Sequence, residues 1–387
     1  MKEQINMGDD SSTPDHTSGH AAKTTPFSCN EIRLSFIQWL LALAVIVVLS
    51  GLIPKLWEYI EKYEPGNDYR VPYALSDDYW LYGRYSRSCA DKSKVMVIGD
   101  SVVWGHYVPP DGSLSHYLNE TTGTQIFANL GIDGIHPVAL AGLLDYYCKA
   151  ITGRKVILSF NPLWMTSEKY DLQTNKEFRF NHPKLVPQFI PKIACYTESI
   201  PNRIGIIAER NIQFLTWASH IRTVYFNKMD LASWTMEHPL RCPFRAVTLE
   251  LPKPEAMSEY DKPWDSRGAV KQDLPWVTLD SSVQWKSFKR AVGILQQRGN
   301  TVFVLIGPFN EHMMSDKSLS TYRSITAGIE TWLQEKRVPY YLPAPLPSGL
   351  YADASHPLRK GYEMLARHLV DDESFQTVIL NPIWQSK

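Results

Sequence analysis

Apolar and polar positions follow three different patterns along this chain. From Leu34 to Ile53 the sequence LSFIQWLLALAVIVVLSGLI is apolar almost throughout, with Gln38 its most polar side chain and no charge. Twenty helical residues rise about 30 Å, the thickness of a bilayer's hydrocarbon core. A core helix of that length would show a polar face, and this one shows none. Trp39 near one end and Trp57 just past the other suit the membrane–water interface. The pattern predicts one transmembrane anchor over residues 34–54. A cleaved signal peptide is the rival reading, but it usually has a shorter apolar run and a small-residue cleavage site. Here Pro54-Lys55-Leu56-Trp57 follows and a polar head of 33 residues precedes, which favours an uncleaved anchor. Lys23 and Arg33 before the span nearly balance Lys55 and Lys62 after it, so charge sets orientation only weakly. The expected topology is a single-pass protein with its tail inside and its large domain extracytoplasmic.

Residues 1–33 are rich in Ser, Thr, Asp and His and are expected to be a disordered polar tail. Residues 55–94 read as a tyrosine-rich juxtamembrane connector broken by Pro65 and Pro72. From Val95 short apolar runs alternate with longer stretches of helical period. Strands are predicted at Val95–Ile98, Gln125–Ala128, Lys155–Phe160, Thr301–Ile306 and Pro339–Leu342. Helices are predicted at Leu114–Asn119, Pro137–Ile151, Val283–Arg298, Leu319–Arg337 and Pro357–Val370. Strands alternating with helices imply parallel pairing through right-handed crossovers. The expected fold is therefore α/β, a three-layer sandwich with a central parallel sheet of about five strands, over 95–387. Residues 164–280 lack the alternation and carry many Pro and Trp residues, so they read as an insertion with some structure of its own.

Composition changes this picture little. Lys+Arg and Asp+Glu are 40 each, so no global field draws the chain to nucleic acid. The five cysteines (29, 89, 148, 195 and 242) form no C-x-x-C pair and no zinc spacing with histidine. No metal or cofactor is expected. Free thiols and a disulfide framework both stay open.

The chemistry lies at strand ends. In an open α/β sheet ligands bind outside the carboxyl ends of the strands. Gly99-Asp100-Ser101 follows the first predicted strand, Asn129 to Gly134 the second, and Asn161-Pro162 the third; Asp353-Ala354-Ser355-His356-Pro357 follows the fifth. Acyl transfer needs this assortment. A serine hydroxyl becomes nucleophilic when a base removes its proton, and a carboxylate holds that base in the right tautomer. An oxyanion needs donors already aimed at it. Ser101 is the candidate nucleophile, His356 the general base and acid, and Asp353 the orienting carboxylate. Backbone N–H groups of Ser101 and Gly134, with the Asn161 amide, are the candidate oxyanion hole. Pro357 suits the first position of a helix, which would make His356 its N-cap.

These residues resemble the SGNH (GDSL-like) hydrolase superfamily. Val-Met-Val-Ile-Gly-Asp-Ser (95 to 101) with Trp104-Gly105 is similar to its first block, and Asp353-x-x-His356-Pro357, with Gly361, Tyr362 and Ala366, to its last. Asn129 to Gly134 resembles the second block, with Gly134 the better match for its oxyanion glycine and Gly131 the alternative. The third block usually reads Gly-x-Asn-Asp, where this chain has Ser159-Phe160-Asn161-Pro162. The resemblance covers about 95–161 and 301–370 and implies a flavodoxin-like SGNH fold. Its membrane-anchored members include polysaccharide O-acetyltransferases and esterases. It thus implies acyl (acetyl) transfer between an acyl ester donor and a cell-surface carbohydrate acceptor, often beside a multi-span acyl-supplying membrane protein. A carbohydrate or lipid esterase is the alternative, and a non-catalytic binding subunit with the same fold the second.

Trp104, Asn310 and His312 are further candidates for substrate binding. Trp164, Trp217, Trp234, Trp264, Trp276 and Trp285 would either stack on sugars or pack a core. Asn119-Glu120-Thr121 fits an N-glycosylation acceptor.

Overall fold

The computed structural model describes residues 34–252 and 260–381. The expected polar tail over 1–33 lies outside the described residues, as do Cys29 and part of the insertion. Two compact units are distinguished, residues 1–48 and 49–387. One helix, α1 (Phe36–Ile60), carries the apolar run and is long and apolar enough to cross a membrane. It continues six residues beyond the predicted end of the anchor at Pro54. An interior proline removes one backbone donor and crowds the carbonyl four residues back, yet the helix carries on to Ile60. Beyond Pro54, Trp57 donates its indole N–H to Glu61 at 3.0 Å, which holds the last turn.

In the second unit five strands form one parallel sheet: β1 (Val95–Gly99), β2 (Phe127–Gly131), β3 (Lys155–Phe160), β4 (Thr301–Ile306) and β5 (Tyr340–Tyr341). Their order is β2-β1-β3-β4-β5, that of doubly wound flavodoxin-like sheets. The strands are apolar almost continuously because both faces are covered. On one face Met96, Ile98, Leu158 and Val304 pack against α2 (Tyr79–Asp91), α5 (Pro137–Tyr146), α10 (Val283–Gln297) and α11 (Asp316–Glu335). On the other, Val97, Ile157, Phe303 and Leu305 pack against α3 (Ser101–Trp104), α4 (Leu114–Thr122) and α12 (Arg359–Asp371). The order reverses at β1, whose neighbours β2 and β3 leave on opposite sides, and a doubly wound sheet opens its crevice at such a point.

Three sequence expectations need correction. Residues 55–94 are more than a connector: α2 buries Tyr79, Leu81, Tyr82 and Tyr85 in the core, with Asp78 capping it by accepting from Leu81 N–H at 3.0 Å. β2 begins two residues later than predicted and runs to Gly131, in register with Gly99. Asn119 is 2% exposed, and its amide exchanges two hydrogen bonds with the backbone of Phe127. It pins α4 to β2 and offers no surface for a glycan.

The insertion carries α6 (Ile200–Asn211), α7 (Gln213–Tyr225), α8 (Leu231–Glu237) and α9 (Pro243–Ala246), with small apolar clusters of its own. Cys89, Cys148 and Cys195 are buried free thiols, and Cys242 is an exposed one.

Candidate active site

Ser101 opens α3 directly after β1, so the chain turns from strand to helix within one residue. Asp100 makes that turn: its extended backbone precedes the helix and its Oδ1 accepts from Val102 N–H at 3.0 Å. Three further side chains anchor this short helix. Arg70 donates to the carbonyls of Trp104, Gly105 and Val108 at 2.6, 2.7 and 2.9 Å, closing its carboxyl end. The Asn129 amide donates to the Val103 carbonyl, and the Tyr362 hydroxyl to that of Val102. Gly131 lets β2 pass this close, since a Cβ there would lie 2.3 Å from the Trp104 nitrogen. Ser101 is thereby placed on a rigid support.

His356 reaches Ser101 from the far end of the sheet. Its Nε2 lies 2.8 Å from Ser101 Oγ, and its Nδ1 lies 2.8 and 2.9 Å from the two Asp353 oxygens. Asp353 Oδ1 also accepts from the backbone N–H groups of Ser355 and His356, both at 3.0 Å. Burial opposes the Asp353 charge, but the bonds from His356 and these N–H groups hold its carboxyl well below the usual range. Burial alone would depress the His356 imidazole; the bond and charge of Asp353 outweigh it and the net shift is upward. Ser101 and His356 are each 8% exposed.

His356 is not a helix N-cap, contrary to the sequence expectation. Tyr351 and Pro357 form an antiparallel bridge, and Ala352 N–H donates to the His356 carbonyl at 2.8 Å. The residues between form a tight loop, and α12 begins two residues later, behind Leu358. Proline at 357 closes this loop instead of starting the helix. Asn310, expected near substrate, is fully buried below it: its amide donates to the Asp353 carbonyl at 3.1 Å, and its N–H to that of Ala354 at 2.8 Å. It supports the loop that carries Asp353 and His356.

Of the candidate oxyanion donors, Gly134 has a left-handed backbone (φ 71°), and no acceptor among the described residues takes its N–H. The alternative, Gly131, donates its N–H to the Asn129 side chain at 3.0 Å and is committed. Ser101 N–H, in the first turn of α3, is likewise uncommitted among the described residues. Asn161 is extended, as the following proline demands. Its oxygen accepts from Leu163 N–H at 3.0 Å, and its Nδ2 donates to Asp100 Oδ2 at 2.8 Å. One amide N–H is thus spent on the residue beside Ser101 and the other remains.

Asn161→Ala should lower kcat for an ester by about 10²–10³, the range for loss of one oxyanion donor. KM should change far less, because such a bond strengthens in the transition state. A near-wild-type kcat would leave Asn161 only its bonds to Asp100 and Leu163.

Trp104 is 3% exposed, with its N–H on the Val71 carbonyl at 2.7 Å and Arg70 over its ring. It is a packing residue, which removes it from the substrate candidates. His312 is exposed and bonds the Leu346 carbonyl at 3.0 Å. Trp234, Trp264 and Trp285 are buried packing residues, Trp217 and Trp276 pack against neighbouring rings, and Trp164 donates to Asp100 Oδ2 at 2.9 Å. Burial pushes the Asp100 carboxyl up, against the bonds from Asn161, Trp164 and Val102.

The sequence reading missed one pair at the site. His106 Nδ1 lies 2.5 Å from Asp133 Oδ1, and the His106 ring stands 5.5 Å from the His356 ring. Tyr107 contacts the same imidazole at 5.4 Å. Only their nearness in sequence to Ser101 and Gly134 hinted at this.

No protein-family model matches the chain, and no curated protein matches it in sequence.

Proposed function

We propose that this protein is a serine-dependent acyltransferase of SGNH type, moving an acyl group, in the simplest case acetyl, between an ester donor and a carbohydrate acceptor. The observation carrying this reading is the continuous chain from Asp353 through His356 to Ser101 Oγ, with every link at 2.8–2.9 Å. In the first half-reaction Ser101 Oγ attacks the acyl carbon and passes its proton to His356 Nε2. The oxyanion forms beside the N–H groups of Ser101 and Gly134 and the remaining Asn161 N–H. As it collapses, the bond to the donor alcohol breaks and His356 returns the proton to that leaving oxygen. The acceptor hydroxyl then gives its proton to His356 and attacks the acyl-serine; the acyl–Oγ bond breaks and His356 returns the proton to Ser101 Oγ. Hydrolysis follows the same path with water as acceptor, and a carbohydrate or lipid esterase is the second reading.

A fluorophosphonate tests the reading directly, since only an activated serine reacts. Labelling at Ser101 is expected, and its absence would favour a binding subunit. The rate should rise with pH, because the base must be neutral. The upward shift of His356 puts the midpoint above the ordinary imidazole value of about 6.5. A pH-independent rate would remove His356 as the base. Incubating the protein with an acetyl ester, with and without oligosaccharides, and weighing the products separates transfer from hydrolysis.

We also read α1 as a membrane anchor with the catalytic domain extracytoplasmic, served by a multi-span acyl supplier. Its length and unbroken apolar surface support the span. The full chain should stay with membranes in alkaline carbonate; release into the supernatant would refute the anchor.

A further inference from the structure

Beside the loop bearing Gly134 lies a cavity of about 420 Å³ that the acyl chemistry leaves unused. Its size is within the range of small-ligand sites. Two contacts tie it to the candidate active site. Asp133, in its wall, holds His106, whose ring stands against His356. Asn181, also in its wall, donates to the Gly134 carbonyl at 3.4 Å. A ligand filling the cavity would therefore lie next to the proposed oxyanion donor.

The lining is basic: Arg179, Lys184, Arg222 and Lys228 face two acids, Asp77 and Asp133. Both acids are already engaged. Asp133 bonds His106, and Asp77 pairs with Lys228 at 3.0 Å and His182 at 3.4 Å. Lys184 is taken by Glu209 at 2.9 Å, from α6. That leaves the two arginines. Among the described residues neither Arg179 nor Arg222 has a carboxylate partner, and the buried Nε of Arg222 has no acceptor. A guanidinium presents a planar fork of donors that matches carboxylate and phosphate oxygens. Two such groups in the wall of one cavity make a receptor for an oxyanion.

We infer that this cavity binds a carboxylate or phosphate group carried by the glycan acceptor, and so selects acidic glycans over neutral ones. The inference rests on the acyl-transfer reading for the word acceptor, while the site itself stands on the cavity and its arginines. Holding the charged group here leaves the rest of the glycan to reach the acyl-serine past His106 and Gly134.

The test is calorimetric titration of the full-length chain in detergent. The probes are an oligogalacturonate, a phosphorylated malto-oligosaccharide and a neutral malto-oligosaccharide of equal length. Either acidic probe should bind at least about ten-fold tighter than the neutral one, and added salt should weaken it. The probe that binds identifies the anion as carboxylate or phosphate. Arg179→Ala and Arg222→Ala should each weaken binding about ten-fold, the scale of one charged hydrogen bond. Equal affinity for neutral and acidic probes, or undiminished binding by the arginine variants, would overturn the proposal. Arg179 is exposed, so its truncation leaves packing intact and that variant decides the matter should Arg222→Ala unfold. Fluorophosphonate labelling separates the two readings. A labelled Ser101 without acidic-glycan binding refutes this site alone, and binding without labelling refutes the acyl chemistry alone.

Discussion

Replacing Ser101 with alanine will lower ester turnover by about 10³-fold or more, the usual scale for a triad serine. The size follows from the connectivity. Ser101 Oγ is the group that His356 Nε2 meets at 2.8 Å, so its loss removes the proposed nucleophile and leaves Nε2 without that partner. The structural cost is small, because α3 is held by Asp100, Arg70, Asn129 and Tyr362, none of which touches the hydroxyl. Steady-state rates on an aryl acetate, read beside the melting temperature, separate the two effects. A collapsed rate with an unchanged melting temperature is the expected pair. Retention of most activity would remove Ser101 from the mechanism, and with it the acyl-serine. Asp353→Asn should also be severe, since an amide no longer favours the tautomer that leaves Nε2 free to accept.

How much of this was legible beforehand depended on the range over which each signal acts. β3 and β4 match the apolar runs residue for residue, because a strand buried on both faces must be apolar throughout. The pairing of Ser101 with His356 was also legible, although 255 positions separate them. Both follow predicted strands, so parallel pairing puts them on the same edge of the sheet, and the stretch after β5 carries His356 across to Ser101. What escaped was set by tertiary contact. Pro357 looks like a helix start until Tyr351 pairs with it and draws the intervening residues into a loop. Trp104 looks like a platform for substrate until Arg70 covers its ring from a segment that read as a mere connector. The Glu61, Asp78, Arg84 and His220 cluster spans more than 150 residues and follows no local period, so no window of sequence displays it.

That cluster carries the second large expected effect. Glu61 is 2% exposed, one residue past the end of α1. Its Oε1 accepts from Tyr225 at 2.6 Å, and from His220 and Trp57 at 3.0 Å each; its Oε2 accepts from Arg84 at 2.7 Å. His220 completes the cluster through Nδ1, 2.6 Å from Asp78 Oδ2. Two anions thus face two cations, and α2 and α7 are bound to the chain at Glu61. Glu61→Ala would leave Arg84 and a protonated His220 with Asp78 alone. Uncompensated buried charge of this kind costs about 3–5 kcal/mol. Denaturant unfolding of the full chain in detergent should show that loss, and a change under about 1 kcal/mol would mean the network adds little stability. The dependence on pH has a definite sign. Burial lowers the His220 pKa, but Asp78 and Glu61 outweigh it and raise the imidazole to about 9. A raised folded-state pKa gives stability that is fully present below the unfolded value of about 6.5 and is lost as pH climbs through 9. Glu61 runs the other way. Burial raises its carboxyl, yet His220, Tyr225 and Trp57 bring it below its ordinary value, so its share is lost on acidification. Wild-type stability should therefore fall from neutral pH towards pH 9, and His220→Gln should flatten that alkaline limb while lowering stability at neutral pH. An equally steep alkaline limb in His220→Gln would assign the titration to another group.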